Sequence, residues 1–230
     1  MKQLVNIDAA TSSENILSEL TALDARLADS GLKQFLIFNK AYFIVTSAIK
    51  QSSDTGHFQS PEFVEEFSVR FAQYYFQAIN ETLVNSPQLP PAWALLNTAC
   101  ENKGTPQFIL LLMGANAHIN RDIPRTLVDV MGRRQIDDLL GDVRKVDRIL
   151  MKSGRQIIDS FEEPGHRLNW LKRHLVFLYY RPTMYMILYW RVRSWHNYKS
   201  IKKTGLQASN YEKRSIRIAQ HFLKLAKHLS

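Results

Sequence analysis

The sequence of 230 residues holds one cysteine, Cys100, which excludes an intramolecular disulfide framework and any cysteine-built zinc module. Set in the apolar run "AWALLNTAC", that cysteine reads as a small buried hydrophobe, and a reducing cytoplasm is the compartment it implies. Strand-like alternation is hard to find, so a sheet-based fold is not expected. No apolar run reaches the roughly 18 uninterrupted residues that a membrane-spanning helix needs. The most hydrophobic stretches are "FLIFNKAYFIVTSAI", "FILLLMGANAHI" and "LVFLYYRPTMYMILYW", and Arg181-Pro182 breaks the last of them. The N-terminus shows no apolar core of signal-peptide length before acidic residues begin, so export is not indicated. Phosphate-binding glycine loops, the dinucleotide fingerprint and the G-x-S-x-G elbow are missing, as are repeats and low-complexity tracts.

Acidic residues are scarce in one part of the chain. Residues 166–230 contain 14 Lys and Arg and a single acid, Glu212, whereas residues 1–165 hold 16 Lys and Arg against 20 acids. A block this basic implies an acidic partner, either an anionic small-molecule substrate or an anionic membrane surface. Nucleic acid fits less well. The aromatics of "YYRPTMYMILYWRVRSW" alternate with aliphatics at helical spacing, which suits packing, and no reader motif accompanies them.

What the sequence does have, along its whole length, is helical period. Ser12 or Ser13 caps a first helix carrying Ile16, Leu17, Leu20, Leu23 and Leu27, which ends before Gly31. A second helix spans about Gln34 to Lys50, and "QSSDTGHFQSP" is read as a loop. Ser60-Pro61 opens a long third helix, and a short fourth covers about Trp93 to Glu101. Thr105-Pro106 starts a helix expected to stop near Pro124, and the next is expected from Asp142 to Phe161. Segments 167–180 and 183–198 meet at Arg181-Pro182, and an amphipathic helix closes the chain from about Asn210 to Leu229. The expectation is an all-α fold, a bundle of roughly eight helices with a basic C-terminal part, forming one domain over residues 1–230. A sub-boundary is conceivable near 164–166.

One stretch is not ordinary helix filler. "MGANAHINRDIP", residues 113–124, sets polar groups against an apolar helix. Residues four apart share a helix face, which pairs His118 with Asp122 and Asn116 with Asn120. A histidine and a carboxylate on an inward face suit two chemistries. One is metal ligation by His118 and Asp122, with zinc as the natural ion; the other is an imidazole oriented by a carboxylate for proton transfer. The same pair also serves as a plain polar knot, with Arg121 and Arg125 neutralising Asp122. Gly114 lets a helix or ligand approach closely. The catalytic candidates are therefore His118, Asp122, Asn116 and Asn120, and the substrate-binding candidates are Arg121, Arg125, Tyr42 and Arg193. Tyr42, Thr46, Tyr74, Asp142 and Asp147 are polar intruders on apolar faces, and Asp142 reads equally as an N-cap or a ligand. Arg191 and Arg193 suit a phosphate or a carboxylate.

The segment "NAHINRDIP" resembles the signature N-A-H-I-N-x-D-[LI]-P of a mainly bacterial and fungal family of unknown function. "FNKAYFIVT" at 38–46, "FAQYYFQAI" at 71–79, "PAWALL" at 91–96 and the Arg191–Trp195 pair fit the same family, so the likeness covers most of the chain. It marks residues without implying a reaction. The His-x-x-x-Asp segment is also similar to that of the helical zinc-dependent phospholipases C. Here, though, Pro124 comes early and Val128 stands where that group has a further histidine. Two functions follow as expectations. The first is a hydrolase-like enzyme working through His118 and Asp122, with or without a metal, on an anionic small molecule or phosphoester. The second is a non-catalytic binding or scaffold protein that docks its basic C-terminal helices on an anionic membrane or another protein, with the His118/Asp122 network structural.

Overall fold

The computed structural model describes residues 3–102, 104–160, 168–205 and 210–229, with the side chains of Gln34, 168–179 and Leu229 outside that description. Among these residues there is no strand. The α-helices are α1 (Ser13–Asp29), α2 (Leu36–Asp54), α3 (Pro61–Leu83), α4 (Pro91–Glu101), α5 (Gln107–Asn116), α6 (Ile123–Val130), α7 (Ile136–Asp159), α8 (Leu168–Thr204) and α9 (Tyr211–Leu229). A π-helical turn, Ala117–Asp122, joins α5 to α6 without a break. The all-α expectation holds. The sub-boundary near 164–166 and the helix end expected at Phe161 lie outside the described residues.

The apolar stripe of α1 goes into the core as its spacing requires: Ile16, Leu20, Leu23 and Leu27 are fully buried, and the Ser12 side chain accepts from the Asn15 N–H. Among the described residues one main core draws on all nine of these helices, from Leu4 and Val5 before α1 to Phe222 and Ala226 in α9. A smaller cluster of Phe58, Val64 and Ile149 lies between α3 and α7.

Four boundaries differ from the sequence reading, three of them for a visible reason. Helix α2 continues to Asp54, held by the Lys50–Asp54 ion pair at 2.7 Å, and ends only where Gly56 takes a φ of 70°. Helix α7 begins at Ile136, so Asp142 is not its cap. Instead Asp142 accepts from the backbone N–H groups of Gln59 (2.9 and 3.0 Å) and Ser60 (2.7 Å), and so caps α3 across the bundle. In α8 the chain runs as one 37-residue helix with Pro182 inside it, where two segments were expected.

The fourth difference decides the site. Pro124 does not stop its helix, because the π-turn absorbs it. The Ile123 N–H reaches back five residues to the His118 carbonyl. Pro124 has no N–H to offer the Ile119 carbonyl, and the Ser194 hydroxyl of α8 lies 2.7 Å from that oxygen, sharing its proton between it and the Trp190 carbonyl at 2.9 Å. The helix thus carries its proline and continues to Val130, with one carbonyl handed to a neighbouring helix.

Candidate functional site

Asp122 is the centre of the polar cluster and is fully buried. Its Oδ1 accepts from Arg121 Nη1 at 2.5 Å, while its Oδ2 pairs with His118 Nδ1 at 3.0 Å and accepts from Trp93 Nε1 at 3.3 Å. A carboxylate between these donors stays ionised. Burial alone would push its pKa up, but Arg121 and His118 outweigh that and hold it below the ordinary carboxylate value. An ionised carboxylate only accepts, so His118 carries its proton on Nδ1. Burial keeps the ring neutral, lowering the His118 pKa below 6.5 against the opposing pull of Asp122. In that tautomer Nε2 is a bare acceptor. It is buried and has no hydrogen-bond partner among the described residues.

Aromatic rings surround the imidazole. Phe71 stacks on it with centroids 3.5 Å apart and the planes 15° from parallel. Tyr42 meets it edge-on at 4.8 Å and Phe38 at 5.7 Å, with Tyr75 at 5.9 Å and Trp93 at 6.2 Å. The Phe38 ring lies where a side chain at residue 114 would be: a Cβ on Gly114 would come within 2.7 Å of it. Gly114 therefore admits a ring of a neighbouring helix, as its position suggested.

His118 borders a cavity of about 180 Å³. Its walls come from α2, α3, α5, the π-turn, the first residue of α6, α7 and α8, and they are dominated by aliphatic and aromatic side chains. The polar side chains along it are largely committed already. Asp142 caps α3 and pairs with Lys145, Arg191 donates to Asp147 at 2.5 Å, and Ser68 donates to the Val64 carbonyl. Tyr42 borders the cavity beside His118, and burial raises its hydroxyl pKa well above the ordinary value, so it stays protonated.

The other candidates lie elsewhere. Asn120 donates to Asn116 Oδ1 at 3.0 Å and Asn116 donates to the Ser215 carbonyl at 2.9 Å, so both face α9 and neither borders the cavity. Arg121 pairs with Asp122, whereas Arg125 turns to the Tyr211 hydroxyl instead. Their guanidinium groups lie 5.6 and 5.5 Å from the centre of the Tyr74 ring, and 3.5 and 3.8 Å from Glu212. The single acid of the basic C-terminal part thus sits against the arginines of the site. Arg193 is exposed on α8 and does not border the cavity. As a metal site the pair fits poorly: both Asp122 oxygens are taken, and among the described residues no three His, Cys, Asp or Glu side chains come together. Sequence reasoning missed Phe38, Phe71, Tyr75 and Trp93 as partners of His118. The signal was present, since the segments 38–46, 71–79 and 91–96 of the family likeness each contribute at least one of these rings.

Fold and site together define an all-α protein with a buried His–Asp pair at the wall of an apolar cavity. The chain belongs to the family of unknown function DUF5995, which matches residues 13–230. No curated protein and no solved structure matches it, and the phospholipase likeness gains nothing from these comparisons.

Proposed function

We propose that the protein takes an uncharged, mainly apolar small molecule into this cavity and that His118 Nε2 accepts a proton or a hydrogen bond from it. The observation that carries the reading is the unpartnered Nε2 itself. Leaving a buried acceptor unmade costs roughly 1–3 kcal/mol, and a ligand donor that completes it recovers that cost. Behind it Asp122 fixes the tautomer and stabilises the imidazolium that proton uptake would create, which is the division of labour of a general base with its orienting carboxylate. The substrate differs from the anionic one the charge count suggested. A bare acceptor calls for a donor, such as a hydroxyl, and an anion placed there would find a neutral ring backed by a carboxylate. The test is titration with 1-octanol, its methyl ether and octanoate. The expected order is alcohol tightest, with that preference lost in His118→Phe. Octanoate binding tightest, or a preference unchanged by His118→Phe, would sink the reading.

A second observation favours a membrane-surface role for the C-terminal helices. Tyr185, Tyr189 and Val192, one stripe of α8, are 63%, 52% and 51% exposed, and Arg214 of α9 lies 5.0 Å from the Tyr189 ring. No helix among the described residues is long and apolar enough to cross a membrane. Aromatic and cationic groups on one surface suit anionic headgroups. This reading is compatible with the first.

A further inference from the structure

The length and width of the cavity bear on what it holds. Two independent rulers measure it. Ser194 of α8 is bonded to the Ile119 carbonyl in the π-turn, next to His118, and so marks the His118 end. Met184, ten residues back along α8, borders the cavity and packs on Gly154, where a Cβ would lie 2.8 Å from its sulfur. Ten residues of α-helix rise roughly 15 Å. On the opposite wall, Phe38 stands beside His118 and Ile49 borders the cavity further along α2, a rise of roughly 16 Å. About 180 Å³ drawn out over that distance is an elongated space, which suits an extended chain better than a compact molecule of equal volume. Along the way the wall carries the aliphatic side chains of Val45, Val146, Leu150 and Ile187.

We infer that the ligand is a single unbranched alkyl chain bearing a terminal hydrogen-bond donor, with the donor on His118 Nε2 and the tail running toward Gly154 and Met184. The inference rests on the reading of His118 given above and adds the shape of the molecule. Gly154 contributes by its missing side chain. It lets α8 pack closely on α7 along the path of the tail.

The experiment is calorimetric titration of the full-length protein with primary alcohols from 1-butanol to 1-hexadecanol, and with 1-adamantanol as a compact alcohol of the same carbon number as 1-decanol. The expected result is a Kd that tightens about threefold to fourfold for each added methylene and then levels off once the passage is filled. 1-Decanol should bind at least about tenfold tighter than 1-adamantanol, because only the extended chain fits along the whole wall. Equal or tighter binding of 1-adamantanol, or a Kd indifferent to chain length, would overturn the inference. Ile187→Trp, which narrows the passage midway, should weaken the long alcohols and leave 1-butanol unchanged; loss of both alike counts against it. The two readings fail separately. If alcohols and their methyl ethers bind equally but with the stepwise dependence, the chain site stands and the role of His118 falls. If the hydroxyl preference holds without chain dependence, the reverse is true.

Discussion

Asp122 and His118 are adjacent in space but differ in what they do for stability. Asp122 satisfies a buried guanidinium, an indole N–H and an imidazole at once, so Asp122→Ala leaves Arg121 buried without its carboxylate. Such a loss typically costs about 3–5 kcal/mol, to be read from urea unfolding. His118→Phe should cost clearly less at pH 8, since Arg121 and Trp93 still hold the carboxylate and the orphan Nε2 goes. The pH dependence separates the two further. The unfolded chain protonates His118 near the ordinary value of 6.5, whereas burial lowers the folded value. Below about pH 6.5 the unfolded state therefore binds more protons, and stability declines as the pH falls toward the folded pKa. Unfolding measured between pH 8 and pH 5 should show that decline in the wild type and a flatter profile in His118→Phe. Equal slopes would contradict a neutral, buried His118. At this scale the sequence was informative about the pair and silent about its surroundings. Four-residue spacing alone places His118 beside Asp122. The opposite fates of Asn116 and Asn120, turned to α9, depend on where a helix nearly a hundred residues later docks.

The π-turn is the element that makes the site, and the sequence hid it. "RDIP" looks like a helix end because proline lacks an N–H and clashes with the preceding turn. The chain instead takes one residue more per turn and passes the orphaned Ile119 carbonyl to Ser194, a contact between α8 and residues far upstream that no local pattern reveals. Ser194→Ala strands that buried carbonyl and should cost roughly 1–3 kcal/mol in chemical denaturation. Ser194→Thr keeps the hydroxyl and should recover part of the loss. Gly114→Ala sets a methyl against Phe38, whose ring atoms would lie 2.7 and 2.8 Å from it. The expected cost is roughly 1–3 kcal/mol, accompanied by a shift of the His118 ring resonances as Phe38 is displaced. Helices with clean stripes and strong caps, such as α1, were legible. Those whose ends are set by distant groups, as α3 is by Asp142, were not.

Across the whole molecule, one core runs from Leu4 to Ala226, so the C-terminal basic part is packed into the bundle rather than appended to it. The all-α class was legible from helical period, because that period recurs through nearly every segment and no alternating run competes with it. The cavity was not, since its walls come from α2, α3, α5, α7 and α8 and exist only once those helices pack. Surface charge belongs to this scale as well. Arg217 and Lys224 are exposed on α9, and Arg214 lies over Tyr189. Reversing the charge of all three should abolish sedimentation with vesicles containing phosphatidylserine while leaving alcohol binding intact. Undiminished vesicle binding would remove the membrane-surface role.

The most direct measurement of the central claim is the nitrogen-15 NMR spectrum of the His118 ring at pH 7, with and without 1-decanol. The account predicts a neutral ring with the proton on Nδ1, and an Nε2 resonance that moves on adding the alcohol while Nδ1 stays in place. An imidazolium, a proton on Nε2, or an Nε2 signal indifferent to 1-decanol would contradict it.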